Sequence, residues 1–92
     1  MAKFAAILVY ADKDKLQDVR PSHRTYLEQL LAAGKLLASG PWTDDSGALI
    51  LYEAADEAEA RALLAADPVS QTPGVLADVQ LKEWKQIYAA EG

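Results

Sequence analysis

Lys3-Phe4-Ala5-Ala6-Ile7-Leu8-Val9-Tyr10 is the stretch that decides the fold. It is too short for a typical helix and rich in β-formers, so it reads as a strand. Both of its alternating sets are apolar: Phe4, Ala6, Leu8 and Tyr10 point one way, Ala5, Ile7 and Val9 the other. A strand apolar on both faces is a central strand covered on both sides. Ala48-Leu49-Ile50-Leu51-Tyr52-Glu53 has the same property and reads as a second central strand. Leu36 to Pro41 is short and ends in proline, which suits an edge. Val75, Ala77, Val79 and Leu81 alternate with Leu76, Asp78, Gln80 and Lys82, the pattern of a half-covered edge strand.

Two helices separate these strands. Asp12 to Asp18 reads as a polar loop, and the first helix is expected from about Pro21 to Ala33 with Gly34 as its stop. Proline suits a first turn because its missing N–H has no intrahelical partner there. His23, Leu27, Leu30, Leu31 and Gly34 then share one face. The second helix begins at Asp56, with Glu59 as the N3 carboxylate. Its stripe is Ala60, Leu63, Leu64 and Asp67, and Pro68 stops it. Asp44-Asp45-Ser46-Gly47 and Gln71 to Gly74 are turns by composition.

The order β-α-β-β-α-β, with the first and third strands central, is that of a ferredoxin-like α+β fold. It implies an antiparallel sheet of order 4-1-3-2 with both helices on one face. One domain is expected over residues 1–84, followed by a C-terminal tail, 85–92. The helices cover only one sheet face, so the apolar second face needs another cover. A second copy packed sheet to sheet is the simplest one, giving a homodimer through the open sheet face, a dimeric α/β barrel.

Composition narrows the function. The chain has 9 Lys and Arg against 14 Asp and Glu, a net charge of −5, which argues against nucleic acid and anionic membrane as partners. The absence of cysteine excludes disulfides, Cys-ligated zinc and thiol catalysis, and a single histidine leaves too few ligands for an ordinary zinc site. No metal and no cofactor are expected. No apolar run approaches the roughly 20 residues that span a bilayer, and no signal pattern opens the chain. A cytoplasmic protein is the expectation.

Connectivity brings the chemistry to one end of the domain. His23 begins the first helix, Asp67 ends the second, and Tyr10 and Ser39 close their strands at that same end. A cleft for a small molecule lined by Tyr10, His23, Ser39 and Asp67 follows. His23 on an apolar stripe is either a satisfied core residue or a working one. Asp67 is anomalous twice, as a carboxylate at a helix C-terminus and on an apolar stripe. It either initiates an Asp-Pro turn or meets His23, where it would fix the imidazole tautomer and make a general acid/base dyad. Arg20 has a guanidinium suited to a substrate carboxylate, aided by the first-turn N–H groups of its helix, or else is a solvated surface charge.

Several pieces in order carry a family resemblance: Lys3-Phe4, Arg20-Pro21-Ser22-His23, Tyr26-Leu27, Gly34-Lys35-Leu36-Leu37-Ala38-Ser39-Gly40-Pro41 and Asp67-Pro68. Together they resemble the YCII-related family over roughly Met1 to Trp84. The resemblance implies a dimeric α/β barrel and a His/Asp pair in an active-site cleft, here His23 and Asp67. It also implies kinship with small cofactor-free enzymes acting on ring compounds, such as muconolactone isomerase and a dehydrochlorinase of chlorinated hydroxyquinols. Many members carry an aromatic after Asp-Pro, where this chain has Val69.

The leading expectation is therefore a small cofactor-free enzyme that moves a proton, as an isomerase or a lyase of the dehydrochlorinase type, on a cyclic or unsaturated organic acid. His23 is the base and Asp67 its orienting partner, with Arg20, Ser39 and Tyr10 contacting substrate. A non-catalytic ligand-binding or regulatory domain on the same fold is the rival. A cofactor-free monooxygenase is a third reading.

Overall fold

β1 (Ala2–Tyr10) lies at the heart of a four-stranded antiparallel sheet. It pairs on one side with β3 (Gly47–Ala54) and on the other with β4 (Leu76–Trp84), while β2 (Leu36–Pro41) pairs with β3. The order β2-β3-β1-β4 is the expected one, with the two doubly apolar strands at the centre. This computed structural model describes residues 1–90. From Lys85 to Ala90 the chain has neither helix nor strand, and Glu91 and Gly92, the end of the expected tail, lie outside the described residues.

Alternation along the central strands sorts their side chains. Phe4, Ala6 and Leu8 of β1, with Ala48, Ile50 and Tyr52 of β3, are buried beneath the helices. Ala5, Ile7, Leu49 and Leu51 form the other face and are only half covered, and Val9 beside them is exposed. The sheet thus has one finished face and one open apolar face.

The first helix differs from its expectation. α1 runs Lys13–Ala32, with Pro21 inside it, so the supposed loop Asp12–Asp18 is a cap and two helical turns. Asp12 is the N-cap, its carboxylate accepting from the N–H groups of Asp14 and Lys15 at 3.0 and 3.1 Å. An internal proline costs about 3 kcal/mol, here by depriving the Gln17 carbonyl of its i+4 donor. The added turns bury Leu16 and Val19, at about 1.5–3 kcal/mol each, which offsets that cost. The buried stripe is Leu16, Val19, His23, Leu27 and Leu30, whereas Leu31 points to solvent. Gly34 does end the helix, at φ 76°.

α2 (Glu57–Ala65) begins as its sequence dictates. Asp56 accepts from the Glu59 N–H at 2.9 Å, and the Glu59 carboxylate accepts from the Ala55 N–H at 2.9 Å. It ends two residues before Asp67, and a third, short helix, α3 (Pro68–Gln71), stands where a simple stop was expected. No helix among the described residues is long and apolar enough to cross a membrane.

Tyr52 is the one flaw in the core among the described residues. Its hydroxyl is buried without a hydrogen-bond partner, and burial, with smaller contributions from Asp67 and Tyr26, pushes its pKa up. An unpaired buried hydroxyl costs about 1–3 kcal/mol relative to a paired one. Tyr52→Phe is therefore expected to unfold in urea at the same midpoint or a higher one, gaining up to about 1 kcal/mol.

Candidate functional site

His23 and Asp67 meet. The His23 Nδ1 lies 2.7 Å from one Asp67 carboxylate oxygen and 2.9 Å from the other. Asp67 is fully buried, and His23 retains 8 % of its surface. They are 44 residues apart in sequence, and each is delivered by a separate local rule. His23 sits one helical step from Val19 and Leu27 on the buried stripe of α1.

Asp67 is set by its neighbour. Proline disfavours the α conformation in the residue before it, and Asp67 is extended at φ −68°, ψ 133°. Pro68 then opens α3, the position proline prefers. Asp67 caps that helix, accepting from the Val69 N–H at 3.0 Å. So the carboxylate of the residue that directly follows the C-cap of α2 also caps the start of α3, and its donors there and on His23 offset the dipole penalty. The turn-initiating and His-pairing readings of Asp67 both hold.

His23 likewise is not at a helix N-terminus. It lies in the middle of α1, so neither it nor Arg20 has the free first-turn N–H groups that the sequence suggested. What governs the ring is the carboxylate. An ionised Asp67 accepts only, so it holds the Nδ1–H tautomer and leaves the Nε2 lone pair free. Among the described residues, Nε2 has no hydrogen-bond partner, and the only buried polar side-chain atom without one is the Tyr52 hydroxyl. Nε2 is therefore open to solvent.

His23 lines a cavity of about 170 Å³. His23, Arg20, Arg24 and Leu27 of α1 form one wall, Ser39, Gly40 and Pro41 of β2 the opposite one, with Tyr10, Ala48 and Ile50 between. The cavity exists because β2 runs out from under the helices: of its residues only Leu36 is buried. Ser39 pairs with Ile50, which places it on the helix side of the sheet. The β1–β4 register shifts at Val9/Tyr10, and the Tyr10 N–H donates to the Ser46 carbonyl at 3.0 Å. Those two features fix the strand end that carries the Tyr10 ring.

Four of the five residues singled out by sequence, Tyr10, Arg20, His23 and Ser39, line this cavity, and Asp67 stands behind His23 rather than in the wall. Two more residues matter that sequence reasoning missed. Asp45 binds the Arg20 guanidinium at 2.9 Å, reaching it from the β2–β3 turn at a positive φ of 59°. Arg24 lines the cavity one turn beyond Arg20, an i+4 relation that a helix starting at Pro21 does not contain.

Burial raises the pKa of Tyr10, and Arg20 beside it offsets part of that rise. Burial, helped by the Asp67 charge, raises that of Tyr26. Both phenols stay protonated at neutral pH. The Tyr26 hydroxyl donates to the Leu63 carbonyl at 2.6 Å, which ties α1 to the last turn of α2 just before Asp67. Among the described residues no three His, Asp or Glu side chains converge as metal ligands.

Residues 3–85 match the family model of the YCII-related domain. No curated protein matches the chain. Among solved structures it resembles 5-chloro-2-hydroxyhydroquinone dehydrochlorinase from Burkholderia phenoliruptrix, in complex with 2,5-dihydroxybenzoquinone. The two share 28 % identity at a TM-score of 0.69, over 89 % of this chain and 93 % of that one.

The pair makes a direct prediction. The chain has one histidine, so its ¹⁵N shifts are unambiguous: the wild type should show the Nδ1–H tautomer. Asp67→Asn, which turns an acceptor into a group that also donates, should populate Nε2–H. Asp67→Ala should cost about 2–4 kcal/mol in denaturant, because it orphans both the Nδ1–H and the Val69 N–H.

Proposed function

The chain belongs to the YCII-related family, and from that premise we propose a small enzyme that moves a proton on a single-ring or unsaturated organic acid, without a cofactor. The observation that carries the reading is the His23 ring, locked through Nδ1 by a fully buried Asp67 and presenting Nε2 to a cavity. At about 170 Å³ that cavity is of the size that holds one benzene-like ring, for which about 150 Å³ suffices in an engineered apolar cavity. Leu27, Pro41, Ala48 and Ile50 supply apolar wall, and Tyr10, Ser39 and Arg20 supply hydrogen bonds. The structural relative is a dehydrochlorinase held in complex with a dihydroxylated quinone.

In this reading Nε2 takes a proton from a carbon or hydroxyl next to a ring carbonyl or its enol form. Negative charge develops on the oxygen, where the Tyr10 O–H, the Ser39 hydroxyl and the N–H groups of Arg20 not spent on Asp45 can stabilise it. Asp67 balances the imidazolium while it lasts. Two outcomes follow from the same intermediate. The proton returns from Nε2 to a different carbon, which is isomerisation, or chloride departs with its bonding electrons, which is net loss of HCl.

We also propose that two copies pair through the open sheet face. Ile7, Leu49 and Leu51 are half exposed there, and Trp42 and Trp84 flank them at 42 % and 40 % exposure. Monomeric proteins rarely leave such a contiguous apolar face uncovered.

Two measurements test these readings. Hydroxylated and halogenated ring compounds incubated with enzyme in D₂O should incorporate deuterium or release chloride. His23→Ala should cut that rate by about 10²–10⁴-fold, the usual contribution of a positioned base. A ligand bound and returned unlabelled by the wild type would make this a binding domain instead. Light scattering at micromolar concentration should give a dimer, and Leu49→Arg should give a folded monomer.

A further inference from the structure

We propose that Arg24, not Arg20, is the charge that selects substrate, and that the cavity takes ring compounds in their anionic form. This deepens the proton-transfer reading above and rests on it. Among the described residues the cavity is lined by Arg20, Arg24 and His23 and by no Asp or Glu. That is a cationic pocket in a chain of net charge −5.

The two arginines are not equivalent. Arg20 is mostly buried, with 16 % of its side chain exposed, and its Nη2 donates to Asp45 at 2.9 Å. Its charge is therefore compensated, and what it offers a ligand is hydrogen-bond donors held in a fixed position. Arg24 is exposed at the cavity wall and has no carboxylate partner among the described residues. Glu28, one turn on along α1, makes no ion pair with it, and the buried Asp67 is already matched by the His23 Nδ1–H and the Val69 N–H. The one uncompensated positive charge of the wall is thus Arg24.

Its place suits the chemistry. Arg24 and His23 both line the cavity, so an anionic oxygen drawn to the guanidinium shares that cavity with the imidazole. An enolate, phenolate or carboxylate is the matching ligand class, since the planar guanidinium fork binds such oxygens in pairs. A neutral ring of the same size gains nothing from it. Arg24 is then a positioning and specificity residue, and its loss raises KM more than it lowers kcat.

The test uses two rings of similar size: 2,5-dihydroxybenzoquinone, an acid that is anionic at neutral pH, and hydroquinone, which is neutral. Binding of each is measured to wild type, Arg24→Gln, Arg24→Lys and Arg20→Gln. The wild type should prefer the anion. Arg24→Gln should weaken the anion about tenfold or more and leave hydroquinone unchanged. Arg24→Lys should still favour the anion, in a salt-sensitive way, but bind it more weakly than the wild type because the paired hydrogen bonds are lost. If Arg24→Gln leaves the preference intact, or if Arg20→Gln alone abolishes it, the assignment to Arg24 is overturned while the ring-binding cleft stands. If the wild type binds neither ring, the cleft reading falls and this inference with it.

Discussion

A carboxylate with no exposed surface is the constraint on which this structure turns. Asp67 loses all hydration on folding, a loss of several kcal/mol unless its oxygens are met. They are met by two donors from different parts of the chain, the imidazole of α1 and the Val69 N–H of α3. The pairing therefore fixes where α3 lies against α1, and with it the direction in which the His23 ring faces. Tyr26, hydrogen-bonded to the Leu63 carbonyl, holds the preceding end of α2 to the same helix. A hydrophobic contact at this point would bury as much area but would leave the ring free to rotate.

The parts of this arrangement legible in sequence are those governed by short-range rules with a single outcome. Double apolar alternation in Lys3–Tyr10 and Ala48–Glu53 can be satisfied only by central strands, and the strand order follows. Asp56 with Glu59 makes a cap wherever apolar helix sequence follows. Connectivity then places Tyr10, Ser39 and His23 at one end, which is where the cavity lies. The start of α1 was illegible for a physical reason. Pro21 fits two positions, a first turn at no cost or a helix interior at about 3 kcal/mol, and the second wins only because Leu16 and Val19 gain burial. That gain depends on packing against the sheet, which no local pattern records. Asp45 was illegible too, since its role requires a turn residue at positive φ to reach across to Arg20.

The start of α1 at Lys13 has chemical consequences. With His23 in a first turn, the helix dipole would oppose its protonation and free N–H groups would help to bind an anion. With His23 mid-helix, both effects vanish and the work passes to side chains. Asp67 orients the ring, and in the proposed reading anion binding would rest on guanidinium groups one turn apart. This is a more selective arrangement. Backbone donors accept any anion of suitable size, whereas Arg20, held by Asp45, and Arg24, unheld, differ in charge compensation and can be altered separately.

The same edge strand links the cavity to the open sheet face. β2 carries Ser39 toward the cavity, and its residues Ala38 and Gly40 lie on the opposite face, paired with Leu51 and Leu49. Apart from Leu36 the strand is exposed, so one row of hydrogen bonds to β3 is its main restraint. Exposure on the helix side is what makes room for a ligand, and it leaves the cavity wall thin. A second copy seated on Leu51 and on the outer side of Leu49, a residue that also lines the cavity, would support that wall from behind. Dimerisation through the open face would then do more than hide apolar surface: it would stiffen the strand that faces His23. The open sheet face and the cavity are two sides of one strand, and under the proposed dimer covering the first would help this small domain keep the second open and hold its shape.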